Sequence, residues 1–199
     1  EYSGSGLHTH FSVLDKSGDN IFDSGGTKGS AMMRNAIAGC LTSMRDSALI
    51  LAPHENSFER LVPGKHAPTA ISWGYENRTA AIRVPAGNPS ARRIEHRVAG
   101  ADVNPYLMLA TILGAALIGI EDGLEPPSPI TGNAYAMDDL PQIPSTWEDA
   151  IEAFETSAIM PRILPKELIR NLVLTKKQEL HYIAELTAEE KVELYLDTV

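Results

Sequence analysis

Polar and apolar positions alternate at the start of the chain. Over residues 6–13, Gly-Leu-His-Thr-His-Phe-Ser-Val, the alternation predicts a strand with Leu7, Phe11 and Val13 on one face and His8, His10 and Ser12 on the other. Asp15 to Asn20 is a run of turn formers. Apolar positions from Ser30 to Leu51 predict one long helix ending before Pro53, and residues 53–68, rich in Pro, Gly, Asn and His, read as a structured loop. Short strands are expected over 71–73, 78–84 and 93–98. Asn104-Pro105 then opens an apolar helix, Asn being a good N-cap and Pro suiting the first turn.

Residues 126–144 hold five of the chain's 13 prolines and read as a long surface connection. Ser145-Thr-Trp-Glu148 and Thr187-Ala-Glu-Glu190 have the spacing of capping boxes, and helices are expected over 146–157, 165–186 and 188–197. Strands fill the first half and helices the second, without regular crossover helices between the strands. That order predicts an α+β domain with a largely antiparallel sheet.

Composition narrows the classes of function. With 199 residues, 43% hydrophobic and 22% charged, the chain is long and apolar enough for one packed domain. A net charge of -9 argues against a nucleic-acid partner, because phosphate backbones need a cationic surface. The single cysteine, Cys40, sits on an apolar helix and reads as a core residue. With no disulfide to form, the expected compartment is the cytoplasm. The longest apolar run, Tyr106 to Ile120, is short for a membrane span and contains Gly114 and Gly119, so no membrane partner is expected. The chain opens Glu-Tyr-Ser-Gly, without methionine or a leader pattern, and the expectation is that it begins inside a domain.

Two strands carry candidate chemistry. His8 and His10, two apart on one polar face, aim both imidazoles the same way, as metal ligands need; taken alone, His-x-His reads as a solvated surface strand. In Arg93-Ile-Glu-His-Arg97, Arg93, Glu95 and Arg97 share one face and Ile94, His96 and Val98 the other. A carboxylate between two arginines stays ionised and is able to ligate a hard cation; taken alone, the pattern is that of a solvated salt-bridge ladder. Six arginines fall between residues 60 and 97, in an acidic chain with only 17 basic residues. Arginine holds phosphate and carboxylate bidentately, so the concentration points to anionic ligands. Arg78 and Arg83 are five apart, so if both line one site Arg78 must precede the strand or a bulge must intervene. Asn77-Arg-Thr79 fits the glycosylation pattern and reads as a chance match.

Together these segments resemble the glutamine synthetase family. Gly4-Ser-Gly-Leu-His-Thr-His-Phe-Ser12, Asn56-Ser-Phe-Glu-Arg-Leu-Val-Pro-Gly64, Asn77-Arg-Thr-Ala-Ala-Ile-Arg-Val-Pro85, Arg92-Arg-Ile-Glu-His-Arg97 and Asn104-Pro-Tyr-Leu107 follow the family's motifs in order, covering residues 3 to about 123. The resemblance implies the C-terminal portion of that family's catalytic domain, with its N-terminal β-domain and further metal-binding glutamates lying upstream. It implies His8 and Glu95 as ligands of Mg²⁺ or Mn²⁺, and His10 and Ser12 beside ATP. It further implies Arg78 and Arg83 on the nucleotide phosphates, and Gly4, Arg60 and Arg97 on glutamate.

The implied reaction phosphorylates the γ-carboxylate of glutamate and lets an amine or ammonia displace the phosphate, in a homo-oligomeric ring. Two positions depart from the pattern. Ser90 stands where the family has Lys, and His66 stands where ammonia-using members carry a flap Glu. His66 favours the branch that joins larger amines, the γ-glutamyl-amine ligases. Glutamine synthetase proper, with His66 as a substitute base, and a non-catalytic assembly protein are the alternatives. With part of the ligand set, the 199-residue chain is expected to fold but not to ligate by itself, and to present a strand edge and apolar surface to other chains.

Overall fold

The structure, a computed structural model, describes residues 5–63 and 65–198. Four three-residue strands, β1 (Thr9–Phe11), β2 (Trp73–Tyr75), β3 (Ile82–Val84) and β4 (Ile94–His96), form one sheet in the order β1-β4-β3-β2. Beside it lie α1 (Ala31–Ser43), α2 (Ala48–Leu51), α3 (Pro105–Glu121), α4 (Trp147–Glu155), α5 (Lys166–Ile183) and α6 (Ala188–Thr198). The α+β class holds, and β1–β4 and β4–β3 pair antiparallel. The β2–β3 pair is parallel. Six residues suffice to connect it because three-residue strands are only ~10 Å long, and six extended residues reach ~20 Å.

Helix starts follow the capping residues. Ser30 accepts from Met33 N, and Asn104 accepts from Tyr106 N and Leu107 N ahead of Pro105. Thr187 and Glu190 form the reciprocal capping box expected of them. At α4 the cap is Thr146, which accepts from Asp149 N, not Ser145. The long helix expected over 30–51 breaks at 44–47. There Met44 N and Ala48 N bond three residues back, and the Ser43 and Ser47 hydroxyls bond to Cys40 O and Met44 O. Serine hydroxyls competing for helix carbonyls favour such a tightened turn. The strand expected over 71–73 lies at 73–75, because Ile71 N bonds to Pro141 O and Ile143 N to Thr69 O instead.

The core lies between sheet and helices. Ile82, Ile94 and Val98 bury their side chains from the sheet, with Phe22, Ile37, Leu51, Ile112, Trp147 and Phe154 opposite. Helix α3 packs on α1 through a glycine contact. A Cβ on Gly39 would lie 2.7 Å from Gly119 N, and one on Gly119 would lie 2.7 Å from Gly39 N. Both obstacles are backbone, so the helices must part to admit a methyl group. Gly39→Ala is expected to destabilise the fold by ~1–3 kcal/mol, the usual range for overpacking, read as a fall in urea midpoint at constant slope. An unchanged midpoint would mean the helices cross with room to spare. The other side of α3 leaves Tyr106, Leu109, Leu113 and Leu117 exposed, so an apolar stripe does reach the surface.

The 126–144 connection is more than a surface link. Trp73 Nε1 donates to Pro127 O at 2.7 Å and Ile130 N to Trp73 O at 2.8 Å, so this proline-rich segment covers the outer edge of β2.

Candidate active site

The pairing register builds the site. His10 on β1 faces Glu95 on β4, which faces Arg83 on β3, giving one row across three strands on one face of the sheet. His8 and Arg97 flank the row, two residues away on their strands. Glu95 is at its centre and only 2% exposed. Arg83 Nη1 donates to Glu95 Oε2 at 2.9 Å and Arg97 Nη1 to Oε1 at 3.0 Å. His8 Nδ1 lies 3.2 Å and His10 Nε2 3.8 Å from Oε1. The ladder is therefore buried, not solvated. On the opposite face Ile94, His96 and Val98 enter the core, and burial pushes the His96 imidazole down to about 4.

Charge states follow from these neighbours. Burial pushes the Glu95 carboxyl up, but Arg97 and Arg83 outweigh it and hold the pKa below the ordinary carboxylate range. Burial, reinforced by Arg97, lowers the His8 pKa against the opposing pull of Glu95, so the ring is neutral at pH 7 and keeps a lone pair for a ligand. An ionised carboxylate and a neutral imidazole side by side are two donors suited to a divalent cation. Among the described residues no group of three or more His, Cys, Asp or Glu is placed to hold a metal ion.

Donors for anions are also present. Arg83 Nε and Arg97 Nε are buried without hydrogen-bond partners among the described residues, a state that anionic ligand oxygens would relieve. Arg83 also meets Glu76 at 3.2 Å, and Arg93 Nε donates to His10 Nδ1 at 3.2 Å. Arg60 is buried, donates to Val98 O at 2.8 Å, and lies near Asp102, which the Ser57 hydroxyl also reaches. Arg60, Asp102, Ser57, Ser5 and Lys65 line a cleft of about 330 Å³. The sheet thus gathers His8, His10, Arg83, Glu95 and Arg97, with Arg60 adjacent.

Other expected residues lie apart from this cluster. Arg78 sits in the turn before β3, exposed and without a hydrogen bond or ion pair among the described residues. Ser12 is exposed just beyond β1. His66 is exposed at φ 62°, next to cleft-lining Lys65 but not itself in the lining. Gly4 lies outside the described residues. Arg92 turns away from the row, donating to Thr27 O and Gly26 O. Sequence reasoning passed over Glu76 and Asp102. Each lies in an irregular segment where no periodicity marks a direction.

A buried carboxylate–arginine row with arginine donors to spare is a site for anionic oxygens, carried on an α+β domain. The chain belongs to the glutamine synthetase family: residues 1–195 match the family described as "Glutamine synthetase, catalytic domain". Among curated relatives, it is 42% identical over 169 residues to the gamma-glutamylethanolamide synthetase of Streptomyces coelicolor, covering 85% of this chain and 36% of that protein. It is 35% identical over 196 residues to the gamma-glutamylputrescine synthetase of Escherichia coli, covering 98% and 41%. A glutamine synthetase of Aquifex aeolicus is 36% identical over 206 residues, covering 98% and 44%. A solved GmaS/ADP complex superposes with a TM-score of 0.81 at 30% identity, covering 98% of this chain and 46% of that one. The chain thus spans about two-fifths of the length of these relatives. No helix among the described residues is long and apolar enough to cross a membrane.

Proposed function

We propose that this chain is the metal- and phosphate-binding part of an ATP-dependent ligase that joins an amine to the γ-carboxyl of glutamate through a γ-glutamyl phosphate. The observation that carries the reading is Glu95, ionised and buried between Arg83 and Arg97 beside neutral His8. The relatives named for ethanolamine and putrescine products, and the ADP complex of GmaS, support the amine and nucleotide assignments. The enzyme acts in the cytoplasm as a homo-oligomeric ring.

In this reading His8 and Glu95 hold Mg²⁺ or Mn²⁺, which when bound offsets charge on the transferring phosphoryl group. Arg83, anchored by both Glu95 and Glu76, presents its Nε to the nucleotide phosphates, and Arg78, on the turn before β3, supplies a second guanidinium to them. His10, oriented by Arg93, and Ser12 flank the nucleotide. Arg60 and Arg97, with Gly4, bind the glutamate carboxylates. Neutral His8 leaves the row's positive charge to the arginines, so the site favours anionic substrates by geometry already in place.

The test is phosphate release by the full-length protein from ATP and glutamate, with ammonium, ethanolamine, putrescine and simple alkylamines supplied in turn. Amine-dependent turnover exceeding that with ammonium is expected. Higher kcat/KM with ammonium would return the protein to glutamine synthetase proper, a reading the Aquifex relative favours, and no turnover with any acceptor would leave a non-catalytic family member. The isolated 199-residue chain, with two metal donors, is expected to release no phosphate above background. Glutamate-dependent release by that chain would show that its own donors suffice.

A further inference from the structure

The Asn77-Arg78-Thr79 turn is held from both sides. Asn77 Oδ1 accepts from Thr79 N at 3.0 Å and from the Thr79 hydroxyl at 2.7 Å. Asn77 Nδ2 donates to Gly132 O at 2.9 Å, and Thr79 Oγ1 in turn accepts from Ala134 N at 2.9 Å. These four bonds close a ring between the turn and the 132–134 loop. The loop is fixed independently: Ile130 N bonds to Trp73 O, and the Asn133 side chain accepts from Tyr135 N. A Cβ on Gly74 would lie 2.7 Å from Ile130 O and 3.1 Å from Asn77 Cβ, so the two segments are in direct contact. Next to the turn, Ala80 and Ala81 are fully buried. The one long side chain in this fixed frame, Arg78, is exposed and has no partner among the described residues.

This arrangement gives the Asn-x-Thr pattern a use. Its side chains are spent on hydrogen bonds to the chain's own backbone, and a glycan on Asn77 Nδ2 would break the bond to Gly132. The same loop lies near Arg97. Burial raises the Tyr135 phenol pKa, and the Arg97 charge opposes that rise. The loop therefore connects the turn that carries Arg78 to the neighbourhood of the buried row.

We infer that Asn77 and Thr79 are positioning residues for Arg78, clamping its turn to the 132–134 loop so that its guanidinium is held ready for the anionic oxygens of the nucleotide. An arginine on a long flexible stem binds a phosphate productively only when its backbone is fixed, and this ring fixes the backbone on both sides. The inference rests on the proposed reading of Arg78 as a phosphate-binding group.

The test is a double-mutant cycle on the full-length enzyme, following kcat, KM for ATP and KM for glutamate. Thr79→Val removes the hydroxyl at nearly constant shape, and kcat/KM for ATP is expected to fall about 10–100-fold. Thr79→Ser keeps the hydroxyl and is expected to restore most of it. On an Arg78→Ala background, Thr79→Val is expected to add little, because its effect passes through Arg78. Asn77→Asp, which keeps the acceptors of the turn and loses the donor to Gly132, serves in the same cycle if Thr79→Val does not fold. Full additivity with Arg78→Ala, or equal losses in every kinetic constant, would overturn the inference. So would a loss in Arg78→Ala with none in Thr79→Val, and that result would leave the proposed function standing. An unaffected Arg78→Ala would remove Arg78 from the phosphate site, and the inference with it.

Discussion

Replacing Glu95 with alanine is expected to cost about 3–5 kcal/mol of folding stability, because it leaves Arg83 and Arg97 buried without the carboxylate both guanidinium groups share. Domains of this size are stable by about 5–15 kcal/mol, so the variant should lose a large part of its urea midpoint and all ligase activity. Glu95→Gln separates charge from shape, since it keeps an acceptor and loses the negative charge. Its comparison with the unaltered protein also has a defined pH dependence. The Glu95 pKa is held below the ordinary carboxylate value in the folded state, so the stability it contributes is complete above that ordinary value, near 4.3. That contribution is lost as pH falls through the folded value. The carboxylate's part of the stability gap between the two proteins should therefore stay constant from pH 8 to pH 5 and narrow as pH falls below the ordinary carboxylate value. A gap that closes between pH 7 and 6 would assign the dependence to a histidine instead, and a gap unchanged at pH 3 would show that the charge of Glu95 is not what holds the arginines.

The face assignments of β1 and β4 were legible because side chains alternate with period 2, and a carboxylate two residues from an arginine must share its face. That rule placed His8 with His10 and Glu95 with Arg97 before any pairing was known. It did not give their burial, which depends on the strands and helices packed around them. An Arg-x-Glu-x-Arg strand looks the same solvated or enclosed. Caps were legible where one spacing stood alone, at Asn104 and Thr187. Ser145 and Thr146 each have an acidic residue three positions on, Glu148 and Asp149, so spacing could not choose between them. The break at 44–47 was hidden by an unbroken apolar pattern, since serine hydroxyls tighten the backbone without disturbing which residues face the core. The parallel β2–β3 pair was hidden because a six-residue connection ordinarily signals a hairpin, and direction depends on how the Asn77–Thr79 turn is held by a loop more than 50 residues later. Glu76, only seven residues before Arg83, was concealed as its second partner because it lies in the irregular segment after β2, where no periodicity marks a direction.

Replacing His66 with Glu is expected to shift acceptor preference toward ammonium by about five-fold relative to alkylamines. His66 lies beside Lys65, which lines the cleft shared by Arg60 and Asp102. Ammonium is small and cationic, and a site that uses it gains from negative charge at its mouth and from a base to take the proton. Lys65 and Arg60 bring positive charge to this cleft and Glu59 and Asp102 bring negative charge, but no acidic residue occupies positions 61–68 to place a carboxylate on the flap itself. Two like charges 4 Å apart repel by ~4 kcal/mol at an effective dielectric of 20 and by ~1 kcal/mol in water. Both side chains are exposed, so the lower figure is the better guide, and ~1 kcal/mol is about five-fold in occupancy. Alkylammonium ions carry the same charge and meet the same repulsion, but a longer amine offsets it through its carbon chain, at roughly 0.8 kcal/mol per buried CH₂. The backbone at position 66 has φ 62°, where any residue with a Cβ is strained by roughly 1–2 kcal/mol. His66 already bears that strain, so the substitution alters charge with little added backbone cost. His66→Gln is the neutral control: it should leave the amine preference close to that of the unaltered protein. If His66→Glu and His66→Gln change the ammonium-to-amine ratio of kcat/KM equally, flap charge does not set the choice, and acceptor selection must lie in the shape of the site.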